Sequence, residues 1–315
     1  MILSRMYDTL ALTEAKPRLE TRVREILAKG LRPKFSPDEL RKLNQVQLDF
    51  PLVGQRRDPF DYYANYANQT VYFPIISLRF FEDICTAYAW LWANNFSLST
   101  IDEYVAMLKY RPFSEFASRG YSLPLDALRI PDNALADQNV DQLSLRIRNS
   151  GYAFILAHEL GHIYYEDRGY AGLTSDQAQR IETKADHFAL DILQRASTIP
   201  MGAMLWLQAT AYFSQNRGDF QSDEEWKEFL HSEMTHPLNS FRLHTLAARL
   251  YAQADDFSHY EKDRQSGKEN LEFIAQGMLR IAEIADDMDL QRTIAGNARS
   301  ANLSTLAPRR EHQLW

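Results

Sequence analysis

The pentapeptide His-Glu-Leu-Gly-His at positions 158–162 restricts the fold of this chain more than any other feature of its sequence. Residues four positions apart stand one above the other on an α-helix, so His158 and His162 could reach the same cation. Glu159 would lie about 100° around that helix, beside the cation rather than bound to it, where it can accept a proton from water. Apolar neighbours indicate that the helix is buried. The motif therefore predicts a long helix at 150–166 with a metal-binding face; the alternative is a helix with two surface histidines.

The cysteine content limits the ligands that such a metal site can use. Cys85 is the only cysteine among 315 residues, which excludes an intrachain disulfide and any thiolate cluster for zinc or iron–sulfur. The ligands must come from eight histidines and 42 acidic residues. Four further histidines have no partner at ligand spacing: His231, His244, His259 and His312.

A third ligand is expected downstream, because a catalytic zinc site has three protein ligands and one open position. Glu182 and Asp186 are four apart in a predicted helix, and Glu182 follows His162 by 20 residues. A glycine-containing turn at 167–174 would reverse the chain between the two helices. Glu182 would complete the metal shell, and Asp186 could accept a hydrogen bond from a ligand imidazole and fix its tautomer. An ordinary acidic helix face is the alternative.

These two motifs in this order resemble the gluzincin class of zinc metallopeptidases. The segment Thr-His-Pro-Leu-Asn-Ser-Phe-Arg at 235–242 is similar to the H-P-x-x-x-x-R segment of integral-membrane gluzincins of the CAAX-processing and HtpX types. The length of this chain and the order of its motifs are closer to those of the Lit-type phage-exclusion peptidases. The ImmA/IrrE-type regulatory peptidases resemble it in the first two motifs. Arg168 stands where metzincins carry a third histidine, which excludes that class. The resemblance covers 158–242.

The resemblance implies a Zn²⁺ ion held by His158, His162 and Glu182. It implies that Glu159 is the general base and that Asp186 hydrogen-bonds a ligand imidazole.

Two further positions follow from the third segment. The resemblance implies that His236 stabilises the oxyanion, and that Arg242 supports His236 or binds substrate. Tyr165, seven residues after His158 on the same helix face, is a competing oxyanion donor. His187 is expected to be structural.

Periodicity over the whole chain predicts an α+β fold that is mostly α, with a small sheet and the long active-site helix of a zincin-like catalytic domain. A strand is expected at 70–75, stopped by Pro74, and its edge could hold a substrate peptide. Residues 111–140 are expected to be extended connections. Further helices are expected at 19–30, 37–47, 77–93, 100–110, 175–195, 201–215, 223–231, 238–253 and 269–286. The expected domains are an N-terminal helical segment at 1–58, the metallopeptidase domain at 59–255, and a C-terminal helix and tail at 256–315.

Charge and hydropathy limit the kinds of partner that this chain is expected to bind. The net charge is −7, although the first 57 residues hold 12 basic and 7 acidic side chains. No recognition motif accompanies this basic surplus, so we do not expect nucleic acid to bind.

The longest apolar stretch, 199–213, is short for a bilayer of about 30 Å, so no membrane span is expected. A single cysteine and no visible secretory signal favour the cytoplasm.

The expected function is a zinc-dependent endopeptidase that hydrolyses peptide bonds of a specific intracellular protein, by resemblance in phage defence or stress regulation. Its partners would be a protein or peptide substrate and an activating partner or signal, because a permanently open cytoplasmic protease would harm its host. The alternatives are a non-catalytic regulatory module stabilised by its metal and a nucleic-acid-binding module that uses the basic N-terminal segment.

Overall fold

The structure is a computed structural model that describes residues 6–55, 59–110, 123–232, 239–257, 264–300 and 310. Within these ranges the protein is mostly helical and contains one small three-stranded sheet. The predicted class, α+β with a large excess of helix, is therefore confirmed. The helices are α1 (Thr9–Glu25), α2 (Pro37–Leu43), α3 (Ile75–Ala93), α4 (Ser99–Tyr110), α5 (Pro124–Ala127), α6 (Gln138–Tyr164), α7 (Ser175–Arg195), α8 (Met201–Phe213), α9 (Asp223–Ser232), α10 (Asn239–Ala252), α11 (Ala254–Phe257), α12 (Arg264–Asp286) and α13 (Met288–Ser300).

Helix α6, which carries the His-Glu-Leu-Gly-His motif, is longer than predicted. It begins at Gln138 rather than near 150, because the Asp137 carboxylate accepts hydrogen bonds from the backbone N–H groups of Asn139 (2.8 Å) and Val140 (3.3 Å). The first turns are polar in sequence and are stabilised by tertiary contacts, which hydrophobic periodicity does not reveal. Of the predicted extended connections at 111–140, residues 111–122 lie outside the described residues. Within 123–140, residues 124–127 and 138–140 are α-helical and 134–136 form a 3-10 turn, so the prediction is wrong for these segments.

The sheet corrects the strand prediction. Its strands are β1 (Gln47–Asp49), β2 (Tyr63–Asn65) and β3 (Thr70–Tyr72), in the order β1-β3-β2. Strand β3 pairs in parallel with β1 and antiparallel with β2, so both of its sides are already hydrogen-bonded. The prediction that this strand offers a free edge to substrate is therefore wrong. The strand is also shorter than the predicted 70–75, because α3 begins directly after Pro74.

Other helix boundaries shift for local reasons. The predicted start of α2 is confirmed by a capping box, in which Ser36 N–H donates to Glu39 Oε2 (2.6 Å) and Glu39 N–H donates to Ser36 Oγ (3.3 Å). Its end at Leu43 is earlier than predicted, since β1 follows. Helix α1 begins at Thr9, ahead of the predicted 19, because Asp8 caps it. Helix α4 begins at Ser99, which places Thr100 inside the helix.

The core is continuous along the chain. One buried hydrophobic cluster includes Met6 at the N-terminal side and Ala298 in α13, and α6 packs within it against α3, α7 and α8. The domain boundaries at 58/59 and 255/256 remain predictions. Of the helices that the structure describes, none combines the length and apolar character that crossing a bilayer demands.

Candidate metal centre

Two helices supply the predicted ligands. His158 and His162 lie on α6, and Glu182 and Asp186 lie on α7. The helices run in opposite directions here, since His158 contacts Asp186 while His162 contacts Glu182. They approach closely because Gly161 has no side chain: a Cβ at this position would lie 3.1 Å from the Cα of Ala185. The glycine in the motif thus allows the carboxylate helix to reach the imidazoles.

The three predicted ligands converge on one point. His158 Nε2 lies 3.2 Å from His162 Nε2 and 3.3 Å from Glu182 Oε2, and His162 Nε2 lies 3.5 Å from Glu182 Oε1. A tetrahedral zinc ion with bonds of about 2.0–2.1 Å separates its ligand atoms by about 3.3–3.4 Å. The donor set, two imidazoles and a carboxylate, therefore fits Zn²⁺ in chemistry, and one ligand atom from each residue lies within 4.8 Å of the other two.

Each imidazole has a carboxylate behind it. His158 Nδ1 lies 2.9 Å from Asp186 Oδ1, an ion-pair contact rather than a well-aligned hydrogen bond, and His162 Nδ1 lies 3.1 Å from Asp167 Oδ2. A carboxylate beside Nδ1 favours a proton on that nitrogen, which leaves the lone pair on Nε2. Two Nε2 lone pairs 3.2 Å apart repel each other unless a cation or a proton lies between them. The arrangement therefore favours either a cation or a proton between the two imidazoles.

Asp167 was missed by the sequence analysis, and the end of α6 explains its place. Asp167 N–H donates to the carbonyl of His162 (2.9 Å), and Glu166 N–H donates to that of Ile163 (3.1 Å). Glu166 has φ 62°, the left-handed conformation of a Schellman cap. This cap folds Asp167 back onto His162. Asp167 follows His162 by five residues at the end of a helix, and this spacing is the sequence signal that could have identified it.

Asp186 is held from its other side by Arg242. The guanidinium donates from Nε to Oδ2 and from Nη2 to Oδ1, both at 2.7 Å, and it lies 5.2 Å from the centre of the Trp206 ring. Trp206 also lies against His158, with ring centres 6.1 Å apart. Arg242 therefore binds the carboxylate that contacts His158, one of the predicted metal ligands. His236, its other predicted partner, lies outside the described residues.

The charges of the centre shift the pKa values in opposite directions. Burial alone would lower the pKa of His158, but its contacts with Asp186 and Glu182 raise it to about 10. Burial alone would raise the pKa of Asp186, but Arg242 and His158 lower it to about 2. Without a metal the centre therefore holds a proton on His158, and a metal ion would have to displace that proton.

The remaining predicted residues differ in position. Glu159 stands between the two histidines in the sequence of α6 and is buried, with 6% of its surface exposed. Tyr165 is 42% exposed at the end of α6, and the ring contacts described for it are with Tyr164, Phe188 and Lys184, not with a predicted ligand. The structure thus does not bring Tyr165 into contact with the centre.

Tyr170 is a second residue that the sequence analysis missed. It lies in the loop between α6 and α7, and its hydroxyl donates a hydrogen bond to Glu182 Oε1. A tyrosine in an irregular loop has no periodic signal, so spacing alone could not have identified it.

Comparison of the chain with protein families, curated proteins and solved structures found no match.

Proposed function

We propose that this protein is a zinc-dependent endopeptidase with a zincin-like catalytic domain. The observation that carries the proposal is the convergence of His158 Nε2, His162 Nε2 and Glu182 at distances of 3.2–3.5 Å, with a carboxylate behind each imidazole. Two imidazoles and a glutamate form the ligand set of a common class of catalytic zinc sites, which leaves a position open.

His158, His162 and Glu182 would hold the Zn²⁺ ion. When bound in such a site, zinc polarises a carbonyl group and lowers the pKa of a coordinated water towards about 7. Glu159 accepts a proton from the attacking water and returns it to the leaving amine. Asp186, Asp167 and their partners keep the imidazoles oriented.

The biological setting is proposed by resemblance. The substrate is a specific intracellular protein, cleaved in the cytoplasm in phage defence or stress regulation, and the enzyme stays inactive until an activating partner or signal switches it on. Comparing new protein N-termini in cells that express the wild type or Glu159→Gln would identify this substrate.

The decisive experiment compares the wild type with Glu159→Gln. We expect both to bind one zinc ion per chain, and we expect the variant to lose at least about 100-fold in cleavage because it lacks the general base. Glu224→Gln, at an exposed position in α9, is the matched control and should cleave normally. Undiminished cleavage by zinc-loaded Glu159→Gln would remove this role, and one iron ion in place of zinc would overturn the zinc assignment.

A metal that only stabilises the fold is a second candidate, favoured by the burial of the ligands. His158 and Glu182 are only 3% and 1% exposed. Chelation separates the two functions, because removal of a structural ion unfolds the protein whereas removal of a catalytic ion mainly abolishes activity. Circular dichroism before and after chelation reports this difference.

A further inference from the structure

The two carboxylate oxygens of Glu182 have different surroundings. Oε2 lies 3.3 Å from His158 Nε2. Oε1 lies 3.5 Å from His162 Nε2 and also accepts the hydrogen bond from the Tyr170 hydroxyl. Glu182 itself is 1% exposed, so solvent does not compete for this oxygen.

We infer that Tyr170 is a positioning residue for Glu182, which holds Oε1 so that Oε2 is the oxygen left for the cation. The inference rests on the proposed function. Each carboxylate oxygen can act as an acceptor or as a metal ligand, and a hydrogen bond from a phenol occupies one acceptor position and weakens that oxygen as a donor to metal. A glutamate without this restraint can turn both oxygens towards a cation and fill the position that a water-activating site must keep open.

The loop is built to keep Tyr170 in place. On one side, Asp167 is fixed by its backbone hydrogen bond to His162 and its side-chain contact with the same residue. On the other side, Thr174 caps α7 by accepting a hydrogen bond from Gln177 N–H at 3.3 Å. The carbonyl of Tyr170 accepts a hydrogen bond from Leu173 N–H at 3.0 Å.

Two glycines let the loop make this short return. Gly169 and Gly172 have φ values of 88° and 80°, which residues with a side chain rarely adopt. One loop therefore restrains two ligands: His162 through Asp167, and Glu182 through Tyr170.

The test uses Tyr170→Phe in the full chain, loaded with Co²⁺ as a spectroscopic substitute for Zn²⁺. We expect the wild type to give the intense visible absorption of four-coordinate Co²⁺ and the variant to give the weaker absorption of a higher coordination number. With zinc, the variant should lose about 10- to 100-fold in kcat for peptide cleavage, while still binding one ion per chain. Tyr251→Phe, which alters an exposed tyrosine on α10, is the matched control and should have the wild-type spectrum.

Tyr170→Met serves as a second variant, because it also removes the hydroxyl but fills the space differently. Both variants should give the same change in the Co²⁺ spectrum if the hydroxyl is responsible. A wild-type spectrum and a wild-type kcat in both variants would overturn the role of Tyr170 while leaving the metal centre intact. Failure of the wild type itself to bind Co²⁺ or Zn²⁺ would overturn the proposed function as well.

Discussion

At the scale of single residues, the centre is a row of charges that alternate in sign. The Arg242 guanidinium binds Asp186, Asp186 contacts His158, and His158 faces Glu182. All four residues are buried, so each charge depends on its neighbours because it has little access to water. Removing one member should therefore affect both metal binding and folding.

Asp186→Asn tests this dependence. The asparagine has no negative charge to orient His158, so we expect zinc affinity to fall about 10- to 100-fold. It also leaves Arg242 buried without a counter-ion, so the free energy of unfolding of the metal-free protein should fall by about 3 kcal/mol, the low end for a broken buried pair. Competition with a chelating dye and urea unfolding measure the two effects.

The matched control for this change lies on the same helix. Asp191 pairs with Arg249, but its side chain is 54% exposed, so this pair is screened by solvent. Asp191→Asn should leave zinc affinity unchanged and affect stability little. Equal losses in both variants would show that Asp186 has no special relation to the ligands.

At the scale of helices, the packing of α8 against α6 depends on two glycines in contact. A Cβ at Gly202 would lie 2.1 Å from the carbonyl oxygen of Ile147 and 2.2 Å from the nitrogen of Gly151. The clashing atoms belong to the backbone and cannot rotate away. The two helices can therefore cross at this distance only if position 202 lacks a side chain, whereas a Cβ at Gly151 would meet mainly the Phe81 ring, at 2.5 Å.

Gly202→Ala should consequently destabilise the protein. Overpacking of this kind costs about 1–3 kcal/mol or more, which exceeds the gain of about 1 kcal/mol in helix propensity from replacing glycine with alanine. Gly296→Ala in α13 is the control, since its Cβ would meet no atom within 4 Å, and it should be neutral or stabilising. Thermal unfolding of the three proteins measures the difference; a Gly202→Ala protein as stable as the wild type would contradict this account of the crossing.

The sequence could predict those features that depend on residues close together along the chain. The spacing of His158 and His162, and of Glu182 and Asp186, is local to single helices, and these residues do meet in the structure. The contributions of Asp167 and Tyr170 depend on a helix cap and a loop, whose backbone conformations periodicity does not encode. The early turns of α6 and the central position of β3 were missed because both depend on residues distant in sequence.

At the scale of the whole molecule, a group of charges around two buried carboxylates joins α1, α3 and α6. Glu82 on α3 accepts hydrogen bonds from Arg18 on α1 (2.5 and 2.6 Å), from Arg79 (3.2 Å) and from Arg148 on α6. The neighbouring Asp83 lies 3.0 Å from Arg79. Since α6 also carries the histidines, this group links the N-terminal helix to the helix of the metal centre.

The two carboxylates of this group differ in pKa. Burial alone would raise the pKa of Glu82, but the surrounding arginines lower it below its usual range. Burial dominates at Asp83 and raises its pKa to about 6, despite the contact with Arg79 and the hydrogen bond of 2.8 Å donated by the Tyr7 hydroxyl. The charge of Glu82 contributes to that increase.

Asp83 should therefore make the stability of the metal-free protein depend on pH. The folded protein keeps the Asp83 proton up to about pH 6, whereas the unfolded chain loses it near pH 3.9. Between these values the folded state binds more protons, so this contribution is complete below about pH 4 and is lost as the pH rises through about 6. Replacement by asparagine removes the titration. In urea unfolding, the stability of the wild type minus that of Asp83→Asn should fall by up to about 3 kcal/mol from pH 4 to pH 7; a constant difference would mean that Asp83 is ionised throughout this range.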